Sequence, residues 1–238
     1  MKKFRNLNAD EIECRIAQID TSWLTLLLYK DARCDMNILD ETVGAMNWKR
    51  THIRDNANCI VEIWDEEKKQ WVSKEDTGKE SFSEAEKGLA SDSFKRACVN
   101  WGIGRELYSS PSIFILPRKD MIKKGKESEF YTNAKGKVET KTRFYVELIG
   151  YDEKDNINNL IIRDEKGHIR FNQLTKEKQK ELAKISDTMK KLIEKLEEKD
   201  NNFDRIQFYK YFNLECDSDM TIKQQEEAIE LLKKKLGE

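Results

Sequence analysis

Lys87-Gly-Leu-Ala-Ser-Asp-Ser-Phe-Lys-Arg-Ala-Cys-Val-Asn-Trp-Gly-Ile-Gly-Arg-Glu-Leu-Tyr108 carries the clearest local code in the chain. With Ala85 just upstream, Leu89, Ala90, Phe94, Ala97, Cys98 and Trp101 recur at steps of three and four, the spacing that lines one face of an α-helix. Ser83, with Glu86 three residues later, predicts a capping box at the start. Gly102 and Gly104 predict the stop. Lys87, Ser91 and Lys95 fall at successive steps of four on another face, with Arg96 adjacent. The reading is a helix with one buried stripe and one basic ridge. On an isolated helix such a ridge is ordinarily a solvated polar face.

Upstream, from Trp48 to Asp76, the pattern changes to period two. Trp48, Arg50 and His52 alternate with Lys49, Thr51 and Ile53. The runs Cys59 to Trp64 and Gln70 to Lys74 then flank the polar turn Asp65-Glu66-Glu67-Lys68. This predicts an antiparallel three-stranded meander feeding the helix, a β-β-β-α core of the α+β class. Before it, Ile12, Ile16 and Ile19 and then the apolar run Trp23 to Tyr29 read as two amphipathic helices, or one broken near Thr21-Ser22, ending at Gly44.

Beyond the central helix, Ser112 to Leu116, Arg143 to Tyr151, Asn159 to Arg163 and His168 to Phe171 read as strands. The lysine-rich stretch from Arg118 to Thr142 reads as a long, mobile basic loop. After Phe171 three helices are expected. Thr175 caps the first, Phe203 to Phe212 mark the second, and Thr221 with Gln224 caps the third. A boundary near Asn172 divides a core, residues 1–172, from a small helical C-terminal domain, residues 173–238.

Composition narrows function mainly by exclusion. Lys plus Arg number 44 against 45 Asp plus Glu, so attraction to a polyanion must come from local patches and not from the net field. Five scattered cysteines without CxxC spacing, and only His52 and His168, argue for a reducing compartment and against a zinc site. No apolar run approaches a membrane span and no signal-peptide core opens the chain, so a soluble, cytoplasmic protein is expected. The Lys, Asn, Ile and Glu usage hints at an AT-rich bacterial or phage genome.

Gly102-Ile103-Gly104 lacks the GxxxxGK[ST] pattern and is read as a helix cap, so no nucleotide cofactor is implied. Trp64, Trp71 and Trp101 sit on alternating or helical apolar faces and are assigned to the core in preference to base stacking. Trp48 and Tyr108 stay open between the two roles. A Mg²⁺-dependent nuclease is the rival from a different class, but no Asp/Glu cluster carries a matching motif.

The segment Lys87 to Tyr108 closely resembles the central signature of the Rad-fifty-two family, including its phage Sak-type annealing proteins. Lys74-Glu-Asp-Thr-Gly78 is similar to that family's approach from strand to helix, and Val43-Gly44 with Asn47-Trp48 to its helix-to-strand junction. The resemblance implies subunits packed side by side into a ring or arc, with single-stranded DNA along a basic groove. It implies that Lys95 and Arg96 face the phosphodiester backbone, that Arg33 joins them from the preceding helix, and that Ser91 lies close to the strand. Lys87 and Arg105 complete the candidate set, and Lys74 and Lys79 are candidates for a second, outer strand site. Val99 stands where the eukaryotic pattern has a further basic residue.

The function so implied is annealing of complementary single strands in recombination and repair by a homo-oligomer that is not an enzyme and needs neither ATP nor a metal. A protein that merely coats and protects single-stranded ends needs the same groove and is the alternative. The helical tail is expected to contact a host single-strand-binding protein or a phage exonuclease.

Overall fold

The computed structural model describes residues 3–79, 85–118, 128–200, 202–214, 217 and 220–237, with the backbone alone for 85–87. Two compact units emerge. One comprises Met1–Arg15, Leu27–Ser112 and Asp152–Ile157, the other Ile16–Leu26, Ile113–Tyr151 and Asn158–Glu238.

The first unit is built on the predicted β-β-β-α core. Strands β3 (Trp48–Ile53), β4 (Asn58–Asp65) and β5 (Gln70–Thr77) form an antiparallel meander in the order 3-4-5. Period-two alternation puts Cys59, Val61 and Ile63 of β4 on one face, all at most 3% exposed. Helix α2 (Ala85–Trp101) covers that face with Phe94, Ala97, Cys98 and Trp101. The Trp101 indole N–H donates to Val61 O at 3.1 Å, which satisfies the ring's one polar atom inside the core.

Gly102 (φ +105°) ends the helix as expected. Its N–H bonds Val99 O at 2.9 Å, and the Ile103 N–H bonds Cys98 O at 3.1 Å, the two bonds of a Schellman cap. The expected capping box at Ser83 lies outside the described residues.

The turn between β3 and β4 holds Arg54, Asp55 and Asn56 at positive φ. It is pinned from α2, where buried Ser93 donates its hydroxyl to Asn56 O at 3.0 Å. Gly78, whose N–H bonds Ala57 O, presses on the same helix: a Cβ there would lie 2.6 Å from Ser93 N and 2.8 Å from Leu89 O. Both neighbours are backbone and cannot rotate away. Gly78→Ala is expected to cost roughly 1–3 kcal/mol, seen as a lower denaturant midpoint with unchanged slope.

The region before the meander corrects the sequence reading. In place of two helices, Glu13–Ile19 is a strand (β1) and Leu24–Tyr29 another (β2), followed by a single helix, α1 (Ala32–Val43). Asp20 makes the turn, accepting from the Ser22 N–H while its own N–H bonds Trp23 O. Leu24, Leu26 and Leu28 alternate inward at period two, which a helix cannot do. Asp31 then accepts from the Arg33 N–H as the true N-cap of α1.

A six-stranded sheet runs in the order β11-β10-β9-β1-β2-β6, with β6 at Ile113–Ile115, β9 at Phe144–Tyr151, β10 at Ile157–Asp164 and β11 at Ile169–Gln173. The β10–β11 and β2–β6 pairs are antiparallel. In the second unit Arg163, 4% exposed at its side chain, ion-pairs with Glu147 at 2.5 Å and donates to Met220 O.

The described part of the predicted mobile loop is structured. Tyr131–Thr132 (β7) and Val138–Glu139 (β8) pair as a ribbon turned at Gly136. Phe130 is buried, and Glu129 is locked to Arg170 at 2.6 Å. Burying an aromatic and an ion pair anchors a segment whose lysines had suggested freedom. Lys119, Lys123, Lys124 and Lys126 lie outside the described residues.

Beyond β11 the described residues form three α-helices: α3 (Lys176–Lys199), α4 (Arg205–Tyr211) and α5 (Ile222–Leu236). Thr175 caps α3, and Thr221 with Gln224 forms a capping box on α5. Met189, Ile193, Leu196, Phe208, Met220 and Leu232 meet in one apolar cluster. Among the described residues no helix is long and apolar enough to cross a membrane.

Candidate nucleic-acid interface

With Phe94, Ala97, Cys98 and Trp101 turned into the core, the opposite flank of α2 faces outward in the first unit. There Lys95, Arg96, Asp92 and Val99 line a groove of about 390 Å³ with Arg15 of β1, Leu27 to Tyr29 of β2, Lys30, and Gly104, Leu107 and Tyr108 after the helix. Four cations therefore line one concavity, Lys30 buried and Arg15, Lys95 and Arg96 reaching solvent. Arg15 and Lys95 enter no ion pair among the described residues. Arg96 has a 3.5 Å ion pair from Nε to Asp76, that nitrogen is sealed from solvent without a hydrogen bond, and its side chain is 42% exposed. Asp92 is the acidic wall, and its carboxylate accepts the Lys79 backbone N–H at 2.9 Å.

Under the groove lies a buried charge pair. Lys30 donates to Asp35, whose side chain is 0% exposed against 4% for Lys30. The other Asp35 oxygen, Oδ2, has no hydrogen-bond partner. Burial pushes the Asp35 carboxyl up to about 6, with Lys30 and then Lys95 opposing that rise. The Lys30 stem crosses Gly104 (φ +72°), where a Cβ would stand 2.2 Å from its Cε. Only glycine suits that crossing, because it supplies both the left-handed backbone and the space. The buried pair thus ties the start of α1 to the turn that carries Tyr108.

Residues 49–120 match the family model of the Rad52/22 family of double-strand break repair proteins. This segment is similar to the Rad52/22 family. No curated protein and no solved structure gives a significant match. The matched segment contains the meander from Lys49 onward, α2 and the Gly102 cap, and hence Lys95, Arg96 and Tyr108. Arg15 and Leu27 to Lys30 reach the same groove from before it.

The other sequence-derived candidates whose side chains are described do not line the groove. Lys74 stands on the α2-facing side of β5, where its ammonium donates to Asn100 O at 2.7 Å and sits 4.6 Å over the Trp101 ring. It serves the carbonyl end of the helix, a favourable place for a cation. Arg105 does likewise, donating to Val99 O and Asn100 O. Arg33, 82% exposed, pairs with Asp31 at 2.6 Å. Lys79 is exposed beyond β5 and Ser91 is half-buried on α2, while the Lys87 side chain lies outside the described residues.

Trp48, left open by sequence, is structural: it stacks on Phe94 at 6.1 Å and donates to Asp40 at 2.6 Å. Trp64 and Trp71 meet edge to face at 5.6 Å, but Trp71 is 37% exposed and is not the core residue its alternation suggested. Tyr108 is different, at 74% exposed. Cys34, Cys59 and Cys98 are buried, and burial raises all three thiols, those of Cys34 and Cys59 to about 12 and about 11. None of the three is a thiolate near neutrality.

Proposed function

We propose that the Arg15–Lys95–Arg96 groove binds the phosphodiester backbone of single-stranded DNA and that the protein, acting as a homo-oligomer, anneals complementary strands. The observation that carries this reading is the convergence of three solvent-reaching cations on the flank of a helix whose other face is sealed, within a segment similar to a double-strand break repair family. Point charges neutralise phosphates and release counterions whatever the sequence. A strand gripped on its backbone leaves base edges free to test a second strand, so pairing itself supplies the free energy and no bond-making step is required. Copies side by side would add weak contacts into one strong grip.

Renaturation of complementary oligonucleotides without ATP or divalent metal tests the reading. Duplex should form faster with protein than without, and the acceleration should fade as salt rises, since log affinity falls by about 0.7 per phosphate contact for each decade of salt. Strand protection without acceleration at saturating protein would leave only a coating role. Cleavage appearing with Mg²⁺ would favour the nuclease.

A further inference from the structure

Tyr108 is the most exposed aromatic of the described residues. It borders the cationic groove on one side. On the other it borders a second cleft with Lys3, Arg105 and Lys154. Large aromatic rings left in water are costly, and Trp48 and Trp101 nearby in the chain are packed and bonded. Leu27, 59% exposed, lines the same groove. The concavity therefore has two chemistries: guanidinium and ammonium groups from Arg15, Lys95 and Arg96, and an apolar, aromatic edge from Leu27 and Tyr108. A nucleotide has the same two, an anionic phosphate and a flat apolar base face. A duplex keeps its base faces stacked inside and offers only the first.

We infer that Tyr108 is a stacking platform for a base of the strand whose backbone Arg15, Lys95 and Arg96 hold. The inference rests on the proposed strand-binding groove and deepens it: the site selects single strands by their exposed base faces as well as by charge. Stacking on a π-face is tolerant of base identity, so the platform holds one base while its neighbours remain free to pair.

The test compares two fluorescent probes of equal length and charge, an oligothymidylate and the corresponding abasic oligomer, on the full chain. Wild type should prefer the oligothymidylate by roughly 5- to 150-fold, the range that one stacked base gives. Tyr108→Ala should abolish most of that preference by weakening oligothymidylate alone, and Tyr108→Phe should restore it. Arg15→Ala should weaken both probes alike. Tyr108→Ala binding oligothymidylate as wild type does, or weakening both probes equally, would overturn the platform. Arg15→Ala leaving both unchanged would remove Arg15 from the contact set. If Lys95→Ala with Arg96→Ala loses binding while Tyr108→Ala does not, the groove stands and only the stacking fails. If the double variant binds normally, the groove itself is wrong.

Discussion

Lys95→Ala combined with Arg96→Ala is expected to weaken binding of a single-stranded oligonucleotide by at least about a hundredfold while leaving the fold intact. Hydrogen bonds to a charged partner contribute roughly 1.5–3 kcal/mol each, so two lost per subunit amount to two or more decades. Little stability should go with them. Lys95 is in no ion pair among the described residues, and the Arg96–Asp76 contact, long and part-exposed, is of the kind that contributes under about 1 kcal/mol. Fluorescence anisotropy against salt gives a second reading, because the log–log slope should flatten by about 0.7 for each contact removed. Normal affinity with an unchanged slope would take the α2 flank out of the interface.

Asp35→Ala is expected to destabilise the protein by about 3–5 kcal/mol, the usual cost of stranding one member of a buried pair. Removing Asp35 leaves the Lys30 ammonium, 4% exposed, without its counter-ion. Replacing both members, Lys30→Met with Asp35→Leu, should recover most of the loss, because the pair itself bears a heavy desolvation cost. Denaturant midpoints of the wild type, both single variants and the double variant complete the cycle. A double variant as unstable as Asp35→Ala would contradict the account.

The same carboxyl sets a sign against pH. Its folded pKa of about 6 lies above the ordinary value of 3.8, so the folded state holds the proton more tightly. The stability this gives is complete below about pH 4 and is lost as pH rises through about 6. Glu129 and Asp164, held below the usual carboxylate range against their own burial, act in the opposite direction. Glu129 is bonded by Arg170 and the Arg118 N–H, and Asp164 by His168. The Asp35 contribution is therefore read as the wild-type curve minus that of Asp35→Asn.

Much of this architecture is legible in the residues alone. The α2 stripe, the Gly102 stop, the meander and the caps at Thr175 and Thr221 are local signals, each written within a few positions of where it acts. The N-terminal hairpin was not legible, for a physical reason. Ile12, Ile16 and Ile19 fall at helical steps by coincidence. In Leu24-Thr-Leu-Leu-Leu-Tyr29, Leu27 breaks the alternation by pointing an apolar side chain outward. A short apolar run of that kind cannot be told from a helix by period. Arg15 was lost with the hairpin, since a misplaced helix put it near nothing.

Lys74 and Arg105 show the converse limit. Sequence marks them as basic, but only the fold reveals that both are engaged by the carbonyls at the end of α2. Lys30 and Asp35, five residues apart across a turn, look like ordinary surface charges until the chain closes over them.

The most direct measurement is an electron cryomicroscopy reconstruction of the full chain bound to an oligonucleotide. It should show polynucleotide density running along the outward flank of α2, with phosphates beside Arg15, Lys95 and Arg96 and a base against Tyr108. Density running elsewhere, with that flank covered by a neighbouring copy, would contradict the account.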